Sequence, residues 1–215
     1  ASNVYGLRNL PDAQAIVKEA RSAENVLVIG SGLVGLDAAY GLLERGKKLT
    51  VVEMADRILP MQLDARAAMA YQERFEKAGA RFVLQRKASQ AVCQPDGRIH
   101  QVILDGGEAI PCDLIIVAAG VRSSLACLEG SGIACERGVT VDASLKTSAA
   151  DVYAAGDITA LSGIWPNAAD QGRIAGKNMC GIAAAYTDTY AMKNTINFFG
   201  LVTLCVGRVK EEEGD

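Results

Sequence analysis

The chain has 215 residues, 50% hydrophobic, 22% charged and only 5% aromatic, which is enough apolar material for one large core or two modest ones and excludes a disordered chain. With 22 Lys and Arg against 25 Asp and Glu, the net charge of -3 offers no basic footprint for nucleic acid or anionic lipid. The longest apolar runs fall short of the roughly 18 residues of a bilayer span and no basic-then-apolar leader opens the chain, so the expectation is a cytoplasmic protein with neither nucleic acid nor membrane as partner.

In chain order, Leu10-Pro11-Asp12 puts a proline at the start of a run with helical spacing (Ala15, Ile16, Val17, Ala20), a helix N-terminal signature. Val26-Leu27-Val28-Ile29 is a continuous apolar run of the kind buried on both faces of a parallel sheet. Leu33 to Leu43 reads as a helix stopped by Gly46, and Leu49-Thr50-Val51-Val52-Glu53 as the second strand of a right-handed βαβ unit. Asp64 to Ala78 supplies a further helix with Gly79 as C-cap, followed by a strand at Arg81 to Leu84. From Ala88 to Ile110 the turn signals Pro95-Asp96-Gly97 and Asp105-Gly106-Gly107 cut the chain into an antiparallel meander. Leu114 to Ala118 returns to the buried parallel type. Short strands are expected at Val139-Thr140-Val141 and Val152-Tyr153-Ala154, and a last helix from Asn167 to Cys180.

Between the first strand and its helix stands Gly30-Ser31-Gly32-Leu33-Val34-Gly35. Gly30 permits the tight turn, Gly32 lets backbone approach a pyrophosphate, and Gly35 lets helix and strand pack closely. The amides of Leu33 and Val34 then open the helix, where unpaired N–H groups and the macrodipole favour a phosphate. Glu53 follows Gly35 by eighteen residues, placed to accept hydrogen bonds from both ribose hydroxyls of an adenosine and to repel a 2′-phosphate. This favours NAD over NADP, with nearby Arg57 arguing the other way.

These residues, with Val51-Val52-Glu53-Met54-Ala55-Asp56-Arg57, resemble the NAD(H) domain of the pyridine nucleotide-disulfide oxidoreductase superfamily. The resemblance is to the branch holding NADH oxidases, rubredoxin reductases and the flavin portion of assimilatory nitrite reductases. Ile116 to Arg122, including Ala119 and Gly120, resembles the segment returning from that domain. Thr147 to Asp157 resembles the second FAD signature, whose Gly156-Asp157 would meet the flavin ribitol. Trp165 to Arg173 resembles the helix whose start, with Asn167 and Ala168, points at the isoalloxazine; Trp165 itself is read either there or in a core. Asp37 stands where the family has glutamate facing the nicotinamide, or is a solvated first-turn acid.

The resemblance implies an α/β fold: a Rossmann-like parallel sheet with an antiparallel three-stranded meander, plus a partial FAD-binding domain. It implies an NAD(H) domain over 9–119, the C-terminal part of an FAD domain over 120–185, and over 186–215 the lead-in to an interface domain of a homodimeric parent, so the sequence is expected to be truncated at both ends. The implied reaction is hydride transfer from NADH to FAD and on to an unidentified electron acceptor. The alternative is a non-catalytic NAD(H)-binding or sensing module. No residue is assigned to catalysis and none to a metal: the six cysteines have no CxxC spacing and are expected to be mostly buried packing residues, and His100 is expected to be solvated on a hairpin.

Overall fold

Continuous apolar segments become the inner strands of a parallel sheet, where both faces are covered and alternation is not required. The computed structural model describes residues 1–188, 190, 193–207 and 209. It places β1 (Val4–Gly6), β8 (Leu114–Val117), β2 (Asn25–Ile29), β3 (Lys48–Val52) and β4 (Ala80–Val83) side by side in that order, all parallel. The first three-residue strand was not expected; it is held by its register on β8, Val4 opposite Ile115. Helix α1 (Leu10–Glu19) follows it, capped by Asn9, whose side chain accepts from the Asp12 N–H while Asp12 accepts from the Asn9 N–H in return.

Helix α2 (Leu33–Leu43) joins β2 to β3, and α3 (Ala65–Lys77), capped by Asp64, joins β3 to β4. The expected meander forms as β5 (Ala88–Cys93), β6 (Ile99–Leu104) and β7 (Ala109–Pro111). Its Val102, Leu104 and Ile110 form one buried cluster with Leu27, Val52 and Ile115 of the sheet. Since side chains alternate along a strand, Val26 and Val28 face the other way, where α2 buries Leu36, Ala39 and Leu42. Full burial of each such side chain stabilises by about 1.5–3 kcal/mol, so Leu27→Ala would strike the layer directly.

From β2 the chain runs outward through β3 to β4, and after the meander it returns to β8 on the opposite side of β2. That reversal makes a crevice outside the carboxyl ends of β2 and β8, the place where open α/β sheets hold ligands.

The chain divides into two compact units, Ala1–Gly120 with Ile196–Thr203, and Val121–Thr195 with the described residues from Leu204 on. The segment in the first unit is the tip of a hairpin of β9 (Lys193–Phe198) and β10 (Leu201–Val206). Its turn residues Phe199 and Gly200 have φ of 52° and 75°, the left-handed pair that matches strand twist. A bulky residue is unfavourable there, and the Phe199 ring is held edge-on against Tyr40 and Phe75, 4.9 Å from each. The buried Tyr71 hydroxyl lies 2.9 Å from Leu201 O, 3.1 Å from Ile196 O and 3.0 Å from Thr203 Oγ1.

In the second unit, the strands expected at Val139 and Val152 do not form. Isolated bridges, Cys135 to Val139 and Lys146 to Tyr153, stand in their place. The reason is local: the Asp142 carboxylate accepts from the Ser144 and Lys146 N–H groups at 2.8 and 3.0 Å, offering the backbone an alternative to a ladder. Helix α4 (Trp165–Met179) begins two residues before its expected start, with Pro166 in its first turn. Its Asn178 closes the unit by donating to Ser144 O and Ala184 O.

Candidate functional site

The three glycines of the loop differ in what a side chain would meet. A Cβ on Gly30 would lie 2.4 Å from Ala118 O, and one on Gly35 would lie 2.1 Å from Gly30 O. Both collisions are with backbone, so both glycines are demanded by packing, and Gly30 also has φ of 103°. The Gly30 N–H donates to Val52 O and the Ala118 N–H to Ile29 O, each at 2.8 Å, which wedges the turn between the ends of β3 and β8. Gly32 is different: its backbone is extended, φ -69° and ψ 179°, and a Cβ there would meet nothing within 4 Å. It faces open space at the start of α2.

Gly32 is the N-cap of α2 and no side chain caps that end. The Leu33, Val34 and Gly35 N–H groups cannot find intrahelical acceptors. Uncapped amides beside a glycine with open space above it make a cradle that fits a dinucleotide pyrophosphate. Ala119 and Gly120 are exposed just past β8, on the other lip of the same turn.

Glu53 follows β3 directly and its carboxylate reaches across to the loop. Oε2 accepts from both the Ser31 N–H and the Ser31 Oγ–H at 2.8 Å, and Oε1 accepts from the Ala55 N–H at 2.9 Å. One loop amide is thus taken by Glu53 rather than left for phosphate. Three of the carboxylate's about four acceptor positions are filled by protein, so Oε1 keeps room for one more donor, not for two undivided bonds to a ribose diol. Arg57 is committed elsewhere: its guanidinium donates to Asp56, to Leu63 O and to Pro60 O. Asp37 lies in the second turn of α2, not the first; it is at the surface, and partial desolvation raises its carboxyl pKa.

In the second unit, Gly156 (φ 83°) leads into a short 3-10 turn, Asp157–Thr159, that leaves the Asp157 side chain exposed. Gln171 of α4, fully buried, fixes this turn: its Oε1 accepts from the Gly156 N–H at 2.7 Å and from Thr159 Oγ1 at 3.3 Å. Its Nε2 is buried with no partner among the described residues. An exposed carboxylate, an α4 start that no side chain caps and an orphaned amide donor are groups that fit a polyol and phosphate-bearing flavin. Asn167 is buried with its amide nitrogen donating to Tyr186 Oη and Tyr190 O, so that nitrogen is already committed within the protein. Ala168 sits under Gly156, 3.5 Å from where a Cβ would be, and Trp165 is 78% exposed and no part of a core.

Sequence reasoning missed Ser31 and Gln171; a small polar residue inside a glycine loop and a glutamine one turn beyond Asn167 were the only signals. It also misjudged the cysteines. Cys112 and Cys205 are buried, whereas Cys93, Cys127, Cys135 and Cys180 are exposed. His100 is exposed on β6. Among the described residues no His, Cys, Asp and Glu group could hold a metal, and no helix is long and apolar enough to cross a membrane.

A parallel sheet covered by helices and an antiparallel meander, with a glycine-cornered loop at its switch point, defines a Rossmann-like unit of the kind found in dinucleotide-dependent reductases. The family model "Pyridine nucleotide-disulphide oxidoreductase" matches residues 1–172, and the chain belongs to that family. It is 30% identical over 215 residues to the assimilatory nitrate reductase electron transfer subunit of Bacillus subtilis, covering 98% of this chain and 28% of that protein. It is 31% identical over 218 residues to the NADH-dependent phenylglyoxylate dehydrogenase subunit epsilon of Aromatoleum evansii, covering 97% and 51%. Among solved structures, a ferredoxin reductase from Rhodopseudomonas palustris superposes with a TM-score of 0.79 at 28% identity, covering 86% of this chain and 48% of that one. The chain therefore spans about half or less of the length of these relatives.

Proposed function

We propose that the first unit binds NAD(H) at the β2–β8 crevice and the second carries part of an FAD site, within an enzyme that takes reducing equivalents from NADH and delivers them to an electron acceptor. Residues 9–119 are the NAD(H) portion and 120–185 the flavin portion. The observation that carries the reading is the contrast among the glycines: backbone forbids a side chain on Gly30 and Gly35, while only open space surrounds Gly32.

The α2 amides of Leu33, Val34 and Gly35 would hold the pyrophosphate, supported by the positive end of the helix dipole. Glu53 would accept a ribose hydroxyl on Oε1 and repel a 2′-phosphate, and Arg57 is committed to Asp56 and two carbonyls. Ala119 and Gly120 line the crevice without bulk. In the second unit Asp157 would accept from the ribitol, and the Asn167 and Ala168 backbone would present the α4 dipole to the flavin. Flavin, when bound, would supply the hydride-accepting and electron-passing chemistry, and the protein's part would be binding and orientation.

Calorimetric titration of the chain with NADH, NADPH and FAD tests this. NADH should bind, NADPH about tenfold or more weaker because of the facing carboxylate, and FAD less tightly than NADH. No binding of NADH, or FAD binding tighter than NADH, would refute the assignment. Flavin colour in the purified full-length parent, bleached by NADH without air, separates the enzyme from a mere binding module.

A further inference from the structure

We infer that Ser31 is a specificity-determining positioning residue, which sets the preference for an unphosphorylated adenosine ribose by holding Glu53 in place. The inference rests on the NAD(H) reading above. A glutamate has three side-chain torsions and, untethered at a half-exposed site, would spread its carboxylate over many rotamers. Here Ser31 fixes it. The residue is fully buried and gives Oε2 two donors, its N–H and its Oγ–H, both at 2.8 Å. Its own backbone is locked in turn, because Ser31 O accepts from the Leu59 N–H at 3.0 Å and Leu59 and Ile58 are fully buried. Ala55 pins the other oxygen.

An alanine or glycine at this position would supply the N–H alone. Loss of the hydroxyl would leave Oε2 one donor of its two, the Ser31 N–H, and the loosened carboxylate would weaken both the bond to a ribose hydroxyl and the repulsion of a 2′-phosphate. A residue that merely supported the fold of the loop would alter NADH and NADPH binding alike, since both dinucleotides share the pyrophosphate cradle. A residue acting through Glu53 would alter their ratio.

The test is calorimetry of the full chain with NADH and with NADPH, for the wild type, Ser31→Ala, Ser31→Cys, Glu53→Ala and the Ser31→Ala/Glu53→Ala double variant. Ser31→Ala should weaken NADH about fivefold, the scale of one ordinary net hydrogen bond, because two other donors still hold the carboxylate, and leave NADPH unchanged or slightly tighter. Ser31→Cys, somewhat larger and poor as a donor, should shift the ratio the same way and serves if the alanine variant does not fold. In the Glu53→Ala background the Ser31 change should have no effect beyond about twofold. An unchanged NADH to NADPH ratio, or tighter NADH binding by Ser31→Ala, would overturn the inference while leaving the NAD(H) reading intact. A wild type that binds neither nucleotide would bring down the reading itself and the inference with it.

Discussion

The three loop glycines allow stability and ligand binding to be separated by single methyl groups. In Gly35→Ala the new Cβ would lie 2.1 Å from Gly30 O, more than an ångström inside ordinary contact, and 3.1 Å from Gly30 C, and both are backbone atoms wedged between two strands. Overpacking of this kind costs about 1–3 kcal/mol, and an unyielding neighbour puts it near 3; the gain in helix propensity returns about 1, leaving about 2 kcal/mol of lost stability. Gly32→Ala has neither problem. Its backbone angles suit any residue and its Cβ meets nothing within 4 Å, so the loss of a good N-cap and the reduced freedom of the unfolded chain roughly cancel, within about 0.5 kcal/mol. Yet that methyl stands over the uncapped α2 amides and should weaken NADH about tenfold or more, as misplacement of a phosphate costs charge-assisted bonds of about 1.5–3 kcal/mol. Urea unfolding followed by circular dichroism, paired with NADH calorimetry, reads both quantities. Wild-type NADH affinity in Gly32→Ala, or wild-type stability in Gly35→Ala, would refute the division of labour among these glycines.

Tyr71→Phe should destabilise the chain by about 1–3 kcal/mol, since it removes the one O–H that the hairpin carbonyls Ile196 O and Leu201 O share, and limited proteolysis should cut first near residues 196–203. Ellman's reagent should titrate the exposed thiols Cys93, Cys127, Cys135 and Cys180 in the native protein and reach Cys112 and Cys205 only after unfolding; burial pushes the Cys112 thiol up to about 11, which removes its thiolate at neutral pH. The Asp113 carboxyl is held below its usual value of 3.8, first by the Asn25 N–H and also by the Glu24 N–H and the Asn25 side chain. Because the folded value is depressed, its contribution is complete above 3.8 and is lost as pH falls through the lower folded value. Asp113→Asn should therefore lower the urea midpoint at pH 7, and the difference from wild type should vanish in strong acid.

The β2–α2–β3 unit was legible to within a residue because three independent signals coincide there: a buried run of Val and Leu, a glycine loop and a β-branched strand ending at an acid. The meander was legible from its turns. Segments with weaker local signals were not. Val4–Gly6 has too few residues for a period and owes its form to β8, while Val139 and Val152 lie in apolar triplets that look like strands until Asp142 bends the chain between them. The Glu53 position was readable as an acid at a strand end; its tether to Ser31 was not, because a hydrogen bond between residues 22 apart in sequence leaves no pattern of its own. Trp165 and the four surface cysteines are apolar residues placed outside a core, which composition cannot foresee.

The Phe199 turn bears on the order of assembly. A phenylalanine in left-handed backbone gives the isolated hairpin no head start, so β9 and β10 have little reason to pair in a nascent chain. The turn becomes tolerable only once Tyr40 and Phe75 are already present to receive the ring, and the bonds that secure it reach Tyr71 from 125 to 132 residues away in sequence. Loop closure over such a span is slow, so residues 196–203 are expected to be the last piece of the first unit to consolidate, docking onto a sheet-and-helix layer formed before them.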